Sequence, residues 1–124
     1  MDIRNLKLSG LIRKTITVGP NTTLLKTREI LLKNKIKRVI VVDKRKSIGI
    51  ITERDIAKKI YELGSKPIKS VQAKDIKPRK LFTLTRENTV RECAKMMKKH
   101  RISAVMILNK DTTLGGIITK KELV

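Results

Sequence analysis

Short runs of hydrophobic residues alternate with charged segments along the chain, and each run indicates one secondary-structure element. In the first half, β-branched residues predict a strand over 15–18, followed by capping residues and a helix that ends near Asn34. Two apolar runs over 38–42 and 47–51 are too short for helices and predict a β-hairpin. Thr52 then begins a second helix. The first half therefore has the order strand, helix, strand, strand, helix.

The second half predicts the same order of elements. Strands are expected over 81–84, 104–108 and 114–118, with a helix over 89–100 and a last helix that begins at Thr119. The middle strands of both halves are continuous apolar runs, as expected for a sheet that is covered on both faces.

The repeat is also visible residue by residue. Residues 49–55 (GIITERD) return as residues 116–122 (GIITKKE), 67 positions later, and upstream the spacing is 66 because one residue is inserted in the turn after Asp43. Self-similarity of this length indicates a repeated structural unit. We expect a first repeat with an N-terminal lead-in over 1–64, and a linker with the second repeat over 65–124. Together they form one globular module.

Helical spacing also identifies the faces that are expected to be buried. These are Leu24, Thr27 and Leu31, with Leu25 and the stem of Arg28 beside them, in the first helix, and Val90, Cys93, Ala94 and Met97 in the helix of the second half.

Composition restricts the class of protein. The 124 residues include one Cys, one Phe, one Tyr and no Trp. A single Cys93 excludes an internal disulfide and indicates a reducing compartment. No apolar stretch approaches the roughly 18 residues of a membrane span, and the N-terminus has no apolar core of a secretory signal. These features predict a cytoplasmic protein without a membrane partner.

The net charge of +20, with 31 Lys and Arg against 11 Asp and Glu, predicts attraction to polyanions. The cations are spread over both halves and do not form a tail, so an evenly basic, solvated surface is the alternative explanation. Abundant nucleic-acid contacts are disfavoured by the near absence of aromatic residues for base stacking and by the lack of a DNA-reading motif.

No catalytic arrangement is visible in the sequence. It contains no Ser/His/Asp set, no phosphate-binding loop of the Walker type and no pair of carboxylates with a cleft between them. The only histidine, His100, lacks the neighbouring ligands of a metal site. We therefore expect a protein that is not an enzyme and has no catalytic cofactor.

The order of elements, with these residues in place, resembles the CBS (cystathionine-β-synthase-type) domain pair from about Leu8 to Val124. The resemblance rests on a Gly-hydrophobic-x-Thr-x-x-Asp pattern over 49–55 and its copy over 116–122, and on apolar runs that end in Asp43 and, in the copy, Asn109. It implies an α/β (α+β) fold of two tandem β-α-β-β-α repeats, packed with pseudo-twofold symmetry around two clefts. It further implies adenosine-containing ligands and homodimers.

The resemblance assigns a first nucleotide site around Asp55, which takes the ribose hydroxyls, and Thr52, which lies beside the phosphates. An ionised carboxylate accepts two hydrogen bonds from a cis-diol, and a helix N-terminus favours an anion. The same pattern at a helix start also forms a capping box, and this alternative needs no ligand. The other residues of the first site are Ile16, Thr17, Val18, Arg38 and Val39 around the base and Arg54 near the phosphates.

A second site is implied by the copy, in which Glu122 stands where the family has Asp. The longer side chain is expected to fit a ribose less well, so Asp55 should contribute more. The second site consists of Phe82, Thr83, Ser103, Ala104, Val105, Thr119, Lys120 and Glu122. Lys14 and Lys80, each just before the first strand of a repeat, are further candidates to face the clefts.

Three functions follow from these observations. The leading hypothesis is a regulatory module that binds AMP, ADP, ATP or S-adenosylmethionine and acts through its own dimer or an unidentified protein partner. The first alternative is a basic protein that binds nucleic acid weakly and without sequence preference. The second is a structural dimerisation module with vestigial sites.

Overall fold

The computed structural model describes residues 1–76 and 79–123. The chain separates into two compact units. The first unit is Ile16–Lys80, and the second unit combines Met1–Thr15 with Leu81–Val124. Within the described residues, each unit contains one three-stranded sheet.

The first unit has the predicted order of elements. They are strand β1 (Thr17–Val18), helix α1 (Leu24–Asn34), strands β2 (Arg38–Asp43) and β3 (Lys46–Thr52), and helix α2 (Glu53–Leu63). β1 runs parallel to β2, and β2 is antiparallel to β3. Thr23 caps α1 by accepting a hydrogen bond from the backbone N–H of Lys26 at 3.0 Å.

The core of the first unit lies between its sheet and its helices. It includes Val18, Val39, Val41, Ile51 and Ile56. As predicted, Leu24, Thr27 and Leu31 are the buried positions of α1. The flanking positions Leu25 and Arg28 are exposed, and Ile30 packs against the core beside the buried positions instead.

The second unit repeats the topology. Strands β4 (Thr83–Thr85), β5 (Ala104–Leu108) and β6 (Leu114–Thr119) form its sheet, and helix α3 (Val90–His100) joins β4 to β5. β4 is parallel to β5, and β5 is antiparallel to β6.

In the second unit, one residue of α3 that was predicted to be buried is exposed. Val90, Cys93 and Met97 are buried as expected, but Ala94 is exposed. The buried stripe turns toward Met96, which packs against the core. Ala94 therefore lies at the edge of the helix that faces away from the sheet.

The compact units differ from the sequence repeats in the segments that precede the two repeats. The lead-in belongs to the second unit, where Leu8 is fully buried, and residues 65–80 belong to the first unit. Arg13 exchanges two backbone hydrogen bonds of 2.9 Å with Ile117 of β6. An unpaired strand edge needs partners for its N–H and C=O groups, and these segments supply them.

The last predicted helix is a 3-10 turn over Lys120–Leu123. Two further 3-10 turns, Ile3–Asn5 and Leu8–Gly10, lie in the lead-in, and a fourth spans Ala73–Ile76.

The end of α1 yields a stability prediction. Lys35 closes the helix in the left-handed conformation, with φ 52° and ψ 43°, where a side chain costs roughly 1–2 kcal/mol relative to glycine. Glycine also makes the unfolded chain more flexible, which offsets part of the gain. We expect Lys35→Gly to raise the free energy of unfolding by up to about 1 kcal/mol in urea denaturation.

Lys33 provides the matched control, because it carries the same charge two positions earlier inside the helix. Lys33→Gly should lower the free energy of unfolding by about 1 kcal/mol. If both variants lowered the free energy of unfolding equally, the left-handed conformation of Lys35 would not be a source of strain.

Candidate functional site

The first turn of α2 holds the predicted Thr52–Asp55 pair in a capping box. The backbone N–H of Asp55 donates to Thr52 Oγ1 at 3.2 Å, and the backbone N–H of Thr52 donates to Asp55 Oδ2 at 2.9 Å. The Thr52 hydroxyl donates to the same Oδ2 at 2.9 Å. The cap therefore fixes the carboxylate, with Oδ2 toward the helix and Oδ1 available for other donors.

Arg79 is that other donor, and sequence reasoning missed it. Its Nε and Nη2 atoms lie 2.9 and 2.8 Å from Asp55 Oδ1. The backbone of Arg79 exchanges hydrogen bonds of 3.0 and 3.3 Å with Ile50, next to the end of β3. Strand-edge pairing thus holds the guanidinium beside the carboxylate, whose side chain is only 12% exposed.

The surroundings of Asp55 keep it ionised. Burial alone raises the pKa of its carboxyl group, but hydrogen bonds from Arg79 and from the N–H and hydroxyl of Thr52 together outweigh that effect and lower the pKa. A buried, ionised carboxylate at a helix N-terminus is well suited to accept hydroxyl hydrogen bonds.

The second unit builds the same arrangement around Glu122. Glu122 Oε1 accepts from the backbone N–H and the hydroxyl of Thr119, both at 2.8 Å. Its Oε2 lies 4.0 Å from Arg13 Nε. The second carboxylate thus accepts the same two hydrogen bonds from its threonine, while its arginine stands farther away.

Arg13 and Arg79 are equivalent residues of the repeat, because they are 66 positions apart. The sequence-based expectation selected their neighbours, Lys14 and Lys80. Extending the 66-residue register a few positions upstream of the first strands would have found both arginines.

Three of the predicted residues have their side chains in the hydrophobic cores. Val18 and Val39 belong to the core of the first unit, and Val105 belongs to that of the second. Only their main-chain atoms remain to line a site. In the first unit, Thr17 is exposed on β1, and Arg38 at the start of β2 pairs with Thr52. The carbonyl of Ile16 accepts from the N–H of Ile40 at 3.2 Å.

Arg54, which was predicted to belong to the first nucleotide site, does not lie with Asp55, Thr52 and Arg79. It lines a groove between α1 and α2, together with Arg28 and Ile60. The Asp55 cluster instead comprises Thr52 and Arg79.

In the second unit, the remaining predicted residues lie around the N-terminal half of β5. Ala104 pairs with Thr119, and the N–H of Lys120 donates to the carbonyl of Ser103 at 3.1 Å. Thr83 pairs with Met106 in the sheet. Phe82 precedes it, and its ring stacks on that of His100, with centroids 4.1 Å apart.

Other candidate chemistry is limited. Cys93 lies in the core, and burial raises the pKa of its thiol to about 11, so the thiol is protonated at neutral pH. Among the described residues, no group of three or more His, Cys, Asp or Glu side chains is arranged to hold a metal. No described helix combines the length and the apolar composition of a membrane span.

Comparison with known proteins identifies the family. The CBS domain model matches the chain twice, over residues 7–62 and 73–124. The chain belongs to the CBS domain family. Both matches contain one of the capped carboxylates described above, and the fold expectation of tandem CBS repeats is confirmed.

Sequence relatives include enzymes and uncharacterised proteins. Inosine-5'-monophosphate dehydrogenase of Aquifex aeolicus is 35% identical over 117 residues, which are 94% of this chain and 23% of that enzyme. Uncharacterized protein MJ1232 of Methanocaldococcus jannaschii is 28% identical over 98% of this chain and 39% of its own length. The CBS chain thus spans less than half of either relative.

Solved structures match along most of their length. The CBS domain pair of protein MJ0100, in complex with 5'-methylthioadenosine and S-adenosyl-L-methionine, has a TM-score of 0.79 and 27% identity, covering 95% of this chain and 96% of that one. The CBS domain protein PAE2072 from Pyrobaculum aerophilum, complexed with AMP, has a TM-score of 0.79 over 94% of this chain and 89% of that chain. At 19% identity the second likeness supports the fold.

Proposed function

We propose that this CBS chain is a regulatory module that binds an adenosine-containing ligand, with the ribose held by the capped carboxylate of Asp55. The observation that carries the proposal is an ionised, buried carboxylate fixed by Thr52 and Arg79 at the start of α2, with an equivalent arrangement around Glu122. The complex of the similar MJ0100 domain pair with two adenosine compounds supports this ligand class.

The geometry of the first site implies an exchange of partners on binding. Asp55 Oδ1 already accepts two N–H groups of Arg79, so the ribose hydroxyls must displace the guanidinium to reach it. The side chain of Arg79 is 58% exposed and can move. Once released, it provides a cation for the phosphate group of a nucleotide ligand at the same edge of β3.

The base is proposed to lie against the side chain of Thr17, the stem of Arg38 and the main chain of Ile16, Val18 and Val39. Thr52 and the first N–H groups of α2 face the phosphate end. In the second site, the equivalent contacts come from Phe82, Thr83, Ser103, Ala104, the main chain of Val105, Thr119, Lys120 and Glu122, with Arg13 beside the carboxylate.

The proposed role is regulatory and not catalytic, with no catalytic cofactor. A ligand-dependent signal would then reach the chain's own homodimer or a further protein partner in the cytoplasm. Leu32 and Ile60 are exposed beside the α1–α2 groove and support a homodimer through this face.

A direct test compares AMP with 2'-deoxy-AMP by isothermal titration calorimetry. Removing one hydroxyl leaves a charged carboxylate with one partner fewer, and hydrogen bonds to charged groups contribute about 1.5–3 kcal/mol. We expect AMP to bind at least about tenfold more tightly than 2'-deoxy-AMP. In thermal denaturation, a ligand at a hundredfold excess over its Kd should stabilise the fold by about 2.7 kcal/mol.

ADP, ATP and S-adenosylmethionine extend the same series, and GMP serves as the control for the base. The proposal fails if none of the adenosine compounds binds at millimolar concentration. Equal affinity for AMP and 2'-deoxy-AMP would mean that the chain binds an adenosine compound but that the ribose 2'-hydroxyl does not contact Asp55.

A structural dimerisation module with vestigial sites is the second candidate. It is favoured by the full engagement of Asp55, since both carboxylate oxygens already have partners without a ligand. The same titrations distinguish it, because a vestigial site leaves every adenosine compound unbound while the chain remains folded.

A further inference from the structure

The end of α3 carries an aromatic pair of which the nucleotide proposal uses only Phe82 and leaves His100 without a role. The rings of Phe82 and His100 are stacked, with centroids 4.1 Å apart and planes inclined by 28°. They are the only phenylalanine and the only histidine of the chain. Phe82 is half-buried and His100 is exposed, so the pair presents an imidazole face to solvent.

Three exposed cations are neighbours of His100 in the sequence. Lys98 and Lys99 precede His100 in the last turn of α3, and Arg101 follows it. Within the described residues, none of the three cations forms an ion pair with an acidic side chain. Their charge is therefore available to an external anion.

The position of Arg101 adds a backbone observation. It closes α3 in the left-handed conformation, with φ 53° and ψ 47°, where glycine is the favoured residue. Cations near a helix C-terminus are also favoured by the helix dipole. The dipole accounts for Lys98 and Lys99, but it requires neither an arginine at the left-handed position nor a ring stack beside it.

We propose that the end of α3 binds single-stranded nucleic acid. One base stacks on the exposed face of His100 and extends the Phe82–His100 pair, while Lys98, Lys99 and Arg101 contact the neighbouring phosphates. Aromatic faces combined with a basic surface are how proteins bind single strands without sequence preference. This function goes beyond the binding of a mononucleotide at Asp55.

A single strand fits this surface better than a duplex or a membrane. Bases in a duplex are stacked on one another and leave no face for His100. Insertion into a lipid surface requires large apolar side chains beside the cations. The only exposed apolar residue of α3 is Ala94, which is small.

The chain supplies its own control at the end of α1. By the 66-residue register, Lys33 and Lys35 correspond to Lys99 and Arg101, and Lys37 is a third exposed cation. Asn34 stands in place of His100, and Ile16 stands in place of Phe82. The end of α1 therefore has the same charge without the ring stack.

The test measures fluorescence anisotropy of a labelled 12-nucleotide oligo(dT) with the full chain between 50 and 200 mM salt. The triple variant K98Q/K99Q/R101Q should bind at least about tenfold more weakly than the matched triple K33Q/K35Q/K37Q. Removing three phosphate contacts should also lower the slope of log affinity against log salt by about 2.

The stacking contact is tested separately by His100→Ala, with Asn34→Ala as the control. His100→Ala should weaken oligo(dT) binding by about tenfold, and the ratio should persist at 200 mM salt because stacking is not screened. An abasic 12-mer should bind the wild type as weakly as His100→Ala binds oligo(dT). The abasic measurement needs no variant, so it stands even where a substitution disturbs folding.

Several outcomes would overturn the proposal. They are equal losses for the two triple variants, no loss for His100→Ala, equal affinity of the wild type for the abasic strand, preference for a duplex, or binding to anionic vesicles in place of oligo(dT). Adenosine titrations of the same variants separate this result from the mononucleotide proposal, because none of the substituted residues belongs to a proposed adenosine site. The Asp55 site is the reference in these titrations, since His100 contacts Phe82 of the second site.

Discussion

Alanine in place of Gly116 is expected to destabilise the fold by about 3 kcal/mol or more, since backbone strain and overpacking add at one position. Gly116 has φ 151°, and an added Cβ would lie 2.4 Å from Ile12 Cγ2 and 2.6 Å from the carbonyl oxygen of Arg13. The second atom belongs to the backbone and cannot move without breaking the pairing of Arg13 with Ile117.

Urea denaturation followed by circular dichroism measures this effect. Gly10→Ala is the control, because an added Cβ there meets nothing within 4 Å, and its effect should lie within about 0.5 kcal/mol of zero. A loss below about 1 kcal/mol for Gly116→Ala would show that the lead-in is not held closely against β6.

Asp55→Ala should have the largest effect on ligand binding, with a loss of adenosine-ligand affinity of about ten- to a hundredfold. It should also lower the free energy of unfolding by about 1–2 kcal/mol, mainly through the lost cap. The contact with Arg79 adds little, because the arginine is 58% exposed and water screens the pair.

The pH dependence gives a second readout on Asp55. Its pKa is lowered in the folded state, so its stabilisation is complete above the ordinary value of 3.8 and is lost as the pH falls through the lower folded pKa. The stability difference between wild type and Asp55→Ala should therefore be constant near neutral pH and shrink in strong acid.

Arg79→Ala and Glu122→Ala complete the comparison. Arg79→Ala keeps the cap and frees Oδ1, so adenosine should bind at least as tightly as to the wild type, while ATP loses a cation. Glu122→Ala should reduce affinity less than Asp55→Ala. Unchanged affinity in Asp55→Ala, together with its loss of stability, would mean that the carboxylate serves only as a helix cap.

The order of elements was predictable because each strand is a continuous apolar run and each helix starts at a side-chain cap. The cap of Thr52 was predicted as the alternative to a ligand site, and it is present. The bounds shifted by one or two residues, as in β1 and β4, because pairing with β2 and β5 and not composition sets where those strands begin.

The contacts that were missed depend on long-range pairing. The side chain of Arg13 does not predict its pairing with Ile117 of β6, since both hydrogen bonds come from the backbone. Arg79 reaches Asp55 only because its own backbone pairs with Ile50. The Phe82–His100 stack joins the residue before β4 to the last residue of α3. Helical spacing predicted a buried face of α3 that was one residue too wide, because it included the exposed Ala94.

The assignment of the lead-in to the second unit has a consequence for folding during synthesis. Ile16–Lys80 is continuous in sequence, so it can fold as soon as it has left the ribosome. Met1–Thr15 emerges earlier but must wait for β6, which is made after Ile16–Lys80. Leu8 stays unburied during this interval, and closing the long loop carries an entropic cost. The unit whose residues appear first is therefore completed last.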